Sequence, residues 1–438
     1  MARRLVLALI CVSQFMVILD ASIVNVALPS IRRDLGFTGT GPAWVVNGYL
    51  LTFAGFLLLG GRAADLLGRR PMLVAGLVLF SAASLAAGLA GTPTVLVTAR
   101  IVQGVGASLL APATLAVLNT TFTEPHERAR AFGAWSAAGG VGGMAGALAG
   151  GAITTGLSWR WVFLINVPIG LALITAALVS LPVVRLVRRE SLDLAGALAA
   201  TGGLAAAIYG VMQSGGHAWT SARVALPVTA GVVVLVLFVV VEARVAVQPM
   251  LPLRLFRSRR VAVGTAMLLL FGGIAIAMWY FTSLYLQNVL GYSALRAGLG
   301  QTPAAVAFVL VARVASALLP RVGVRALIGG GAVLFLAGFG WLSQAGGYLG
   351  GVLPPMLLVA AGIGLMFPTL MATVTTGVDP ADAGIVGGLA NTASQVGSSV
   401  GLAVLTTVGA GGYDRVFLVA AALGPGIALV SALLPRRD

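Results

Sequence analysis

Residues 5–28 read LVLALICVSQFMVILDASIVNVAL, an apolar run whose one charged residue is Asp20. As a helix rising 1.5 Å per residue, such a run spans the roughly 30 Å hydrocarbon core of a bilayer. Asp20 lies deep inside it. A lone carboxylate at that depth costs about 2.5 to 3.5 kcal/mol on insertion scales, so an acid kept within a span is read by default as part of an ion or proton path.

The rest of the chain has the same character. Its 438 residues are 59% hydrophobic and 9% charged, with a mean hydropathy of +1.03, a balance that no domain with a water-facing surface sustains. The reading is an all-α polytopic membrane protein without a separate soluble domain. The opening Met-Ala-Arg-Arg resembles the start of a secretory signal, but the run is too long and continues through Asn25 and Pro29 without a cleavage site, so an uncleaved first helix is expected. Cys11, the single cysteine, has no partner for an intramolecular disulfide. The net charge of +15 is dispersed in short loops rather than gathered on one polar face, which argues against nucleic acid as a partner. All 27 basic residues are Arg, and Ala, Gly and Val are abundant. That bias points to a GC-rich bacterial genome and hence to a multi-pass protein of the bacterial plasma (inner) membrane.

Hydropathy and punctuation predict about fourteen spans. They run over 5–28, 43–61, 72–90, 94–119, 130–154, 161–182, 193–212, 223–243, 261–287, 296–319, 324–344, 350–374, 383–409 and 414–434. With the N-terminus inside, nineteen Arg fall in cytoplasmic segments and six outside, with Arg100 and Arg313 within spans. The positive-inside rule therefore predicts that both termini are cytoplasmic and that the span count is even. Arg313, near the inner end of its span, is expected to snorkel to the interface, and Glu242 to lie at the interface as well. A repeat supports the same plan. Gly61-Arg62-Ala63-Ala64-Asp65-Leu66-Leu67-Gly68-Arg69-Arg70 follows the second span and Ser316-Ala317-Leu318-Leu319-Pro320-Arg321-Val322-Gly323-Val324-Arg325 the tenth, each with Gly in the eighth place and Arg in the tenth. Two six-helix bundles with two helices inserted between them place these turns equivalently: 1–183, then 184–259 with the inserted pair, then 260–438. Parallel repeats of this kind are a transporter architecture.

Several stretches together resemble the major facilitator superfamily, and within it the fourteen-helix drug/proton antiporter branch of the EmrB/QacA type. They are Leu19 to Pro29, Gly61 to Arg70, Arg100-Ile101-Val102-Gln103-Gly104-Val105-Gly106-Ala107, Ser158 to Pro168, Leu290 to Ala294 and Asn391 to Gly397. The resemblance implies a major facilitator fold and proton-coupled efflux of drugs or other lipophilic and amphipathic small molecules, with a part in antibiotic resistance. It also implies that the loop of Gly61, Arg62, Asp65, Gly68, Arg69 and Arg70 acts as a gate. The bland alternative is a tight turn obeying the positive-inside rule. In the fifth span, Gly142, Gly146, Gly150 and Gly151 resemble an antiporter motif, but Ala147 stands where that motif has proline. Glycines 142, 146 and 150 still share one face, which permits close helix packing. Leu66 replaces a basic residue, and Pro320 stands where the second copy of the loop would carry an acid.

Asp20 and Arg100 lie about 12 and 9 Å from the outer ends of their spans, so their side chains meet if the helices adjoin. Two readings of the pair stand side by side: a proton-coupling site, whose protonation biases two conformations differently, and a structural ion pair. Asn25, Asn47, Tyr49, Trp279, Tyr280 and Gln287 are candidate cavity residues, although aromatic residues on spans more often serve packing or the interface. No other acid stands mid-span, which favours monovalent lipophilic cations, neutral antibiotics or amphipathic metabolites as substrates. Two histidines and one cysteine give no metal site, no activated nucleophile and no phosphate loop, so an enzyme is not expected and no cofactor beyond the proton gradient is needed. The expected partners are the small-molecule substrate, protons and the lipid bilayer, with the monomer as the working unit. A dedicated exporter of one endogenous antibiotic, siderophore or lipid is the alternative.

Overall fold

The computed structural model describes residues 2–182, 193–244, 253–378 and 382–434, and among them every regular element is helical. In hydrocarbon a backbone must satisfy its own hydrogen bonds, and a helix does so within one segment. In chain order the helices are Ala2–Leu35 (α1), Ala43–Leu67 (α2), Arg69–Gly88 (α3), Pro93–Thr121 (α4), Pro125–Gly156 (α5), Trp161–Leu164 (α6), Asn166–Ser180 (α7) and Leu194–Gln213 (α8). They continue with Ala222–Arg244 (α9), Arg259–Ile276 (α10), Thr282–Asn288 (α11), Ala294–Val322 (α12), Val324–Leu342 (α13), Leu353–Thr375 (α14), Ala383–Val408 (α15) and Tyr413–Ser431 (α16). Among the described residues, 13 helices are long and apolar enough to cross a membrane. Helix α15, 26 residues long, matches the span expected at 383–409 but falls outside that apolar set. Its Asn391, Thr392, Ser394, Gln395, Ser398 and Ser399 lower its hydropathy.

Two expected spans are not continuous α-helices. Residues 161–182 show a one-residue irregularity at Ile165, between α6 and α7, where the backbone stays in the helical region at φ −60° and ψ −28°. The span at 261–287 contains a π-helical turn, Ala277–Phe281, between α10 and α11. Such turns interrupt the regular i→i−4 ladder, and here Gln301 of α12 donates its Nε2 to the Trp279 carbonyl at 3.0 Å. Glu242, two residues from the end of α9, is buried, at 5% exposure. Arg185, Arg188, Arg189, Arg436 and Arg437, which enter the charge bias, lie outside the described residues.

The matched stretches at 61–70 and 316–325 are not ten-residue turns. Helices α2 and α12 run on to Leu67 and Val322, and each reversal is made at a single residue, Gly68 with φ 97° and Gly323 with φ 85°. Side chains disfavour that region of backbone space, which explains glycine at both positions. The arginine two places on has the same task in both copies. Arg70 donates to the carbonyls of Leu181 at 2.8 Å and Leu178 at 2.9 Å, at the end of α7. Arg325 donates to those of Leu434 at 2.6 Å and Ala432 at 3.4 Å, beyond the end of α16. Both arginines cap carbonyls that a helix end leaves without an intrahelical donor.

Backbone contacts divide the chain into two compact units, Met1–Thr201 with Ser293–Leu299, and Gly202–Tyr292 with Gly300–Asp438. In the first, α1 packs on α5, and α4 lies against both α2 and α3. In the second, α10 packs on α15, and α13 on α14 and α16. There α9 meets α8 closely: a Cβ on Gly231 would lie 2.5 Å from the Gly203 carbonyl oxygen. Arg254 forms a two-pronged pair with Asp382, at 2.8 and 2.7 Å, that ties the approach to α10 to the start of α15.

Gly68→Ala places a Cβ at φ 97° and ψ 146°, a region of backbone space kept almost to glycine that costs about 1 to 3 kcal/mol. Thermal unfolding in detergent should shift down for Gly68→Ala and stay level or rise for Gly133→Ala, a helical glycine with open space around its missing Cβ. Equal melting of the Gly68 variant and the parent would contradict the turn geometry.

Candidate functional site

The first unit brings Asp20 of α1 and Arg100 of α4 together, with Arg100 Nη1 donating to Asp20 Oδ2 at 2.5 Å. Both are buried, at 0% and 1% exposure. The second carboxylate oxygen is also occupied: Oδ1 accepts from Gln103 Nε2 and from Asn166 Nδ2, each at 2.9 Å. Gln103 stands three residues beyond Arg100, on the same face of α4, and its Oε1 accepts from Arg100 Nη1 at 2.8 Å. Arg100 Nε donates to the Val45 carbonyl of α2 at 2.9 Å. Its guanidinium carbon lies 4.3 Å from the centre of the Tyr49 ring and 5.7 Å from that of Phe163. Such faces attract a desolvated cation. Ser84 of α3 closes the network. Its Oγ donates to the Phe163 carbonyl at 2.8 Å and accepts from Asn166 at 3.0 Å and Gln103 at 3.2 Å.

Close helix packing makes these reaches possible. A Cβ on Gly104 would fall 2.5 Å from the Tyr49 carbonyl oxygen, so α4 and α2 touch backbone to backbone just below Arg100. On α5, Gly142, Gly146 and Gly150 all face α1: a Cβ at these positions would lie 2.7 Å from the Phe15 carbonyl, 2.7 Å from Ser22 Cβ and 2.9 Å from the Ile23 carbonyl. Ser22 Oγ donates to the Gly143 carbonyl at 2.8 Å, fixing the register beside Asp20. Gly151 faces elsewhere. Its Cβ would meet Leu295 Cα at 2.6 Å, and one on Gly298 would meet the Ala147 carbonyl at 2.2 Å, so the first turn of α12 lies on this stretch of α5. The small Ala147 side chain packs there with Val26 and Ala294. That contact gives the departure from proline a physical setting.

The remaining expected residues scatter. Tyr49 joins the Asp20 network through Arg100, and Asn25 and Asn47 are buried in the first unit. Trp279 and Tyr280 lie in the π-helical turn of the second unit, where Gln287 Nε2 approaches Ser283 Oγ at 3.3 Å. In the loop proposed as a gate, Gly61, Arg62 and Asp65 are on the last turns of α2, Gly68 is the reversal, and Arg69 and Arg70 open α3. The side chain of Asp65 lies outside the described residues. Sequence reasoning gave no role to Gln103, Asn166 or Ser84. The helical spacing from Arg100 was a signal for Gln103, and a lone amide in an apolar span was one for Asn166. Ser84 gave none, since serine is common where spans pack closely.

Long apolar helices around a buried, hydrogen-bonded ion pair define a polytopic membrane protein. The family model described as Major Facilitator Superfamily matches residues 10–402, and the chain belongs to that family. It is a transporter, not an enzyme. The cephamycin export protein CmcT of Amycolatopsis lactamdurans is 44% identical over 446 residues, covering 98% of this chain and 92% of that protein. The puromycin resistance protein pur8 of Streptomyces alboniger is 39% identical over 416 residues, covering 92% and 81%. Among solved structures, the D-xylose-proton symporter superposes with a TM-score of 0.71 at 13% identity over 98% of this chain and 97% of that one. The nucleoside transporter NupG gives 0.67 at 14%, over 99% and 100%. At such identities the likeness is one of fold.

Removing one partner of a buried ion pair costs about 3 to 5 kcal/mol, because the other charge is left uncompensated. Arg100→Leu should therefore unfold at lower denaturant than the double variant Asp20→Leu/Arg100→Leu, and a double-mutant cycle should give a coupling above about 1 kcal/mol. Additive effects would remove the pair as a stabilising contact. On α5, Gly146→Ala should lower thermal stability whereas Gly143→Ala does not. The nearest atom to a Cβ at Gly143 is Ile18 Cγ2 at 3.6 Å, an ordinary contact.

Proposed function

We propose that this chain is a proton-coupled secondary active exporter, moving an antibiotic or another amphipathic small molecule outward as protons move inward. The observation that carries the proposal is the Asp20 carboxylate, buried mid-helix with every hydrogen bond directed at its ionised form. Protonation cancels the charge those donors serve and leaves Arg100 uncompensated. Conformations that differ in how they solvate that cation then change in population, which is the thermodynamic requirement for coupling. In this reading the pair alternates between two sides of the membrane, and the stretch from Gly61 to Arg70 closes the cytoplasmic face in one of the two states. The proposal includes fourteen spans, cytoplasmic termini, the bacterial inner membrane and a working monomer. No cofactor enters it.

The names of the relatives bear on substrate range. Cephamycin, puromycin and tetracenomycin C each appear in the name of one relative, whereas another, from Mycobacterium tuberculosis, is a multidrug resistance protein. The single-antibiotic names, at 44% and 39% identity, favour a dedicated exporter of one antibiotic as the second reading.

The test is uptake into proteoliposomes with an acid interior, using puromycin, a cephamycin and ethidium as probes. Accumulation that collapses when the pH gradient is dissipated supports antiport. Asp20→Asn should abolish gradient-driven accumulation while leaving substrate exchange at uniform pH. Uptake indifferent to the gradient removes proton coupling, and movement of one probe alone selects the dedicated exporter.

A further inference from the structure

Asn166 presents the two ends of its amide to different surroundings. Its Nδ2 donates to Asp20 Oδ1 at 2.9 Å and to Ser84 Oγ at 3.0 Å. Its Oδ1 is buried with no hydrogen-bond partner among the described residues. Chemistry fixes this orientation, because an ionised carboxylate only accepts. A buried carbonyl with nothing to accept from is costly, so its presence beside the carboxylate calls for an explanation.

Protonating Asp20 inverts the requirement. The neutral acid carries an O–H and needs an acceptor. Arg100 Nη1, Gln103 Nε2 and Asn166 Nδ2 are all donors, and Gln103 Oε1 already accepts from Arg100 at 2.8 Å. The charged and titratable groups of the network are Arg100 from α4 and Tyr49 from α2. Helices α3, α6 and α7 contribute Ser84, Phe163 and Asn166, and α5 faces α1 with glycines. Two buried oxygens of the network have no hydrogen-bond partner among the described residues, the Asn166 carbonyl and the Tyr49 hydroxyl, and of the two residues it is Asn166 whose amide already touches Asp20 Oδ1.

We propose that Asn166 is a positioning residue that follows the protonation state of Asp20. When Oδ1 of Asp20 takes up a proton, the amide turns end for end, its carbonyl accepts the new O–H, and the Ser84 hydroxyl swings from the Phe163 carbonyl to the same amide oxygen. One O–H bond forms, no covalent bond of the protein breaks, and the network gains one positive charge because Arg100 keeps its proton. The Phe163 carbonyl loses a donor two residues before Ile165, so the change reaches the junction of α6 and α7. The inference rests on the reading of Asp20 as the proton site.

Proton-induced infrared difference spectra of the full chain in lipid test both, together with gradient-driven puromycin uptake. The parent should show a protonated carboxyl band and, with it, a side-chain amide carbonyl change. Asp20→Asn should lose both. Asn166→Leu should keep the carboxyl band, displaced, lose the amide change, and lower gradient-driven uptake about tenfold, the worth of one charge-assisted hydrogen bond. Asn166→Ser, which keeps a donor and an acceptor in a smaller side chain, should retain the carboxyl band and most of the uptake without the amide change. It stands in if the leucine variant does not fold. An amide change that persists in either Asn166 variant, or that is absent from a parent with a normal carboxyl band, overturns the switch and leaves Asp20 as the proton site. A parent without a carboxyl band overturns the reading of Asp20, and the switch with it.

Discussion

A carboxylate at 0% exposure inside a bundle of apolar helices has no water to solvate it, so every lone pair has to be met by protein. In this chain that demand organises the first unit. Meeting it takes a guanidinium and an amide from α4, an amide from α7, and a serine from α3 to hold both amides in place. Arg100 in turn needs the Val45 carbonyl and the Tyr49 face from α2. Five helices are thus tied to one oxygen pair. They reach it only because glycines let backbones touch, as Gly104 does between α4 and α2 and Gly106 between α4 and α3.

Satisfaction of backbone groups plays the corresponding part at the helix ends. A reversal made at one residue leaves no loop to meet the last carbonyls of neighbouring helices. In both copies of the repeat, an arginine two places after the glycine supplies the donors instead. Gly68 with Arg70, and Gly323 with Arg325, form the same two-part device in each unit, a short turn coupled to a carbonyl clamp. The positive charge that sequence rules assign to orientation is thus also occupied in hydrogen bonding. For Arg70 and Arg325 these uses are compatible, because a guanidinium keeps its charge while it donates.

Departures from the family pattern acquire physical settings in the same way. At Ala147, a small side chain lets the first turn of α12 approach α5 so closely that Gly298 has no room for a Cβ. In the second unit, the π-helical turn around Trp279 and Tyr280 is joined by the Gln301 amide, so two aromatic residues sit on irregular backbone rather than on a plain helix. Irregular backbone within a membrane is tolerated where protein supplies the missing partners.

The sequence by itself determined the class of this protein. Apolar runs of spanning length, arginine bias and the spacing of Gly68 and Gly323 are local properties, and hydrocarbon leaves a chain of this composition little besides helices. It also singled out Asp20 and Arg100, because a charge in an apolar run stands out without any knowledge of its neighbours, and depth along a helix follows from residue count. What completes the pair was not legible. Gln103, Asn166 and Ser84 are neutral residues 83, 146 and 64 positions from Asp20, and their role depends on which faces of α3, α4 and α7 turn inward. The π-helical turn was equally hidden, since hydropathy averages over the few residues that interrupt a regular helix. Only the tertiary structure decided these features, because hydrogen bonds between side chains form according to distance in space and carry no periodicity along the chain.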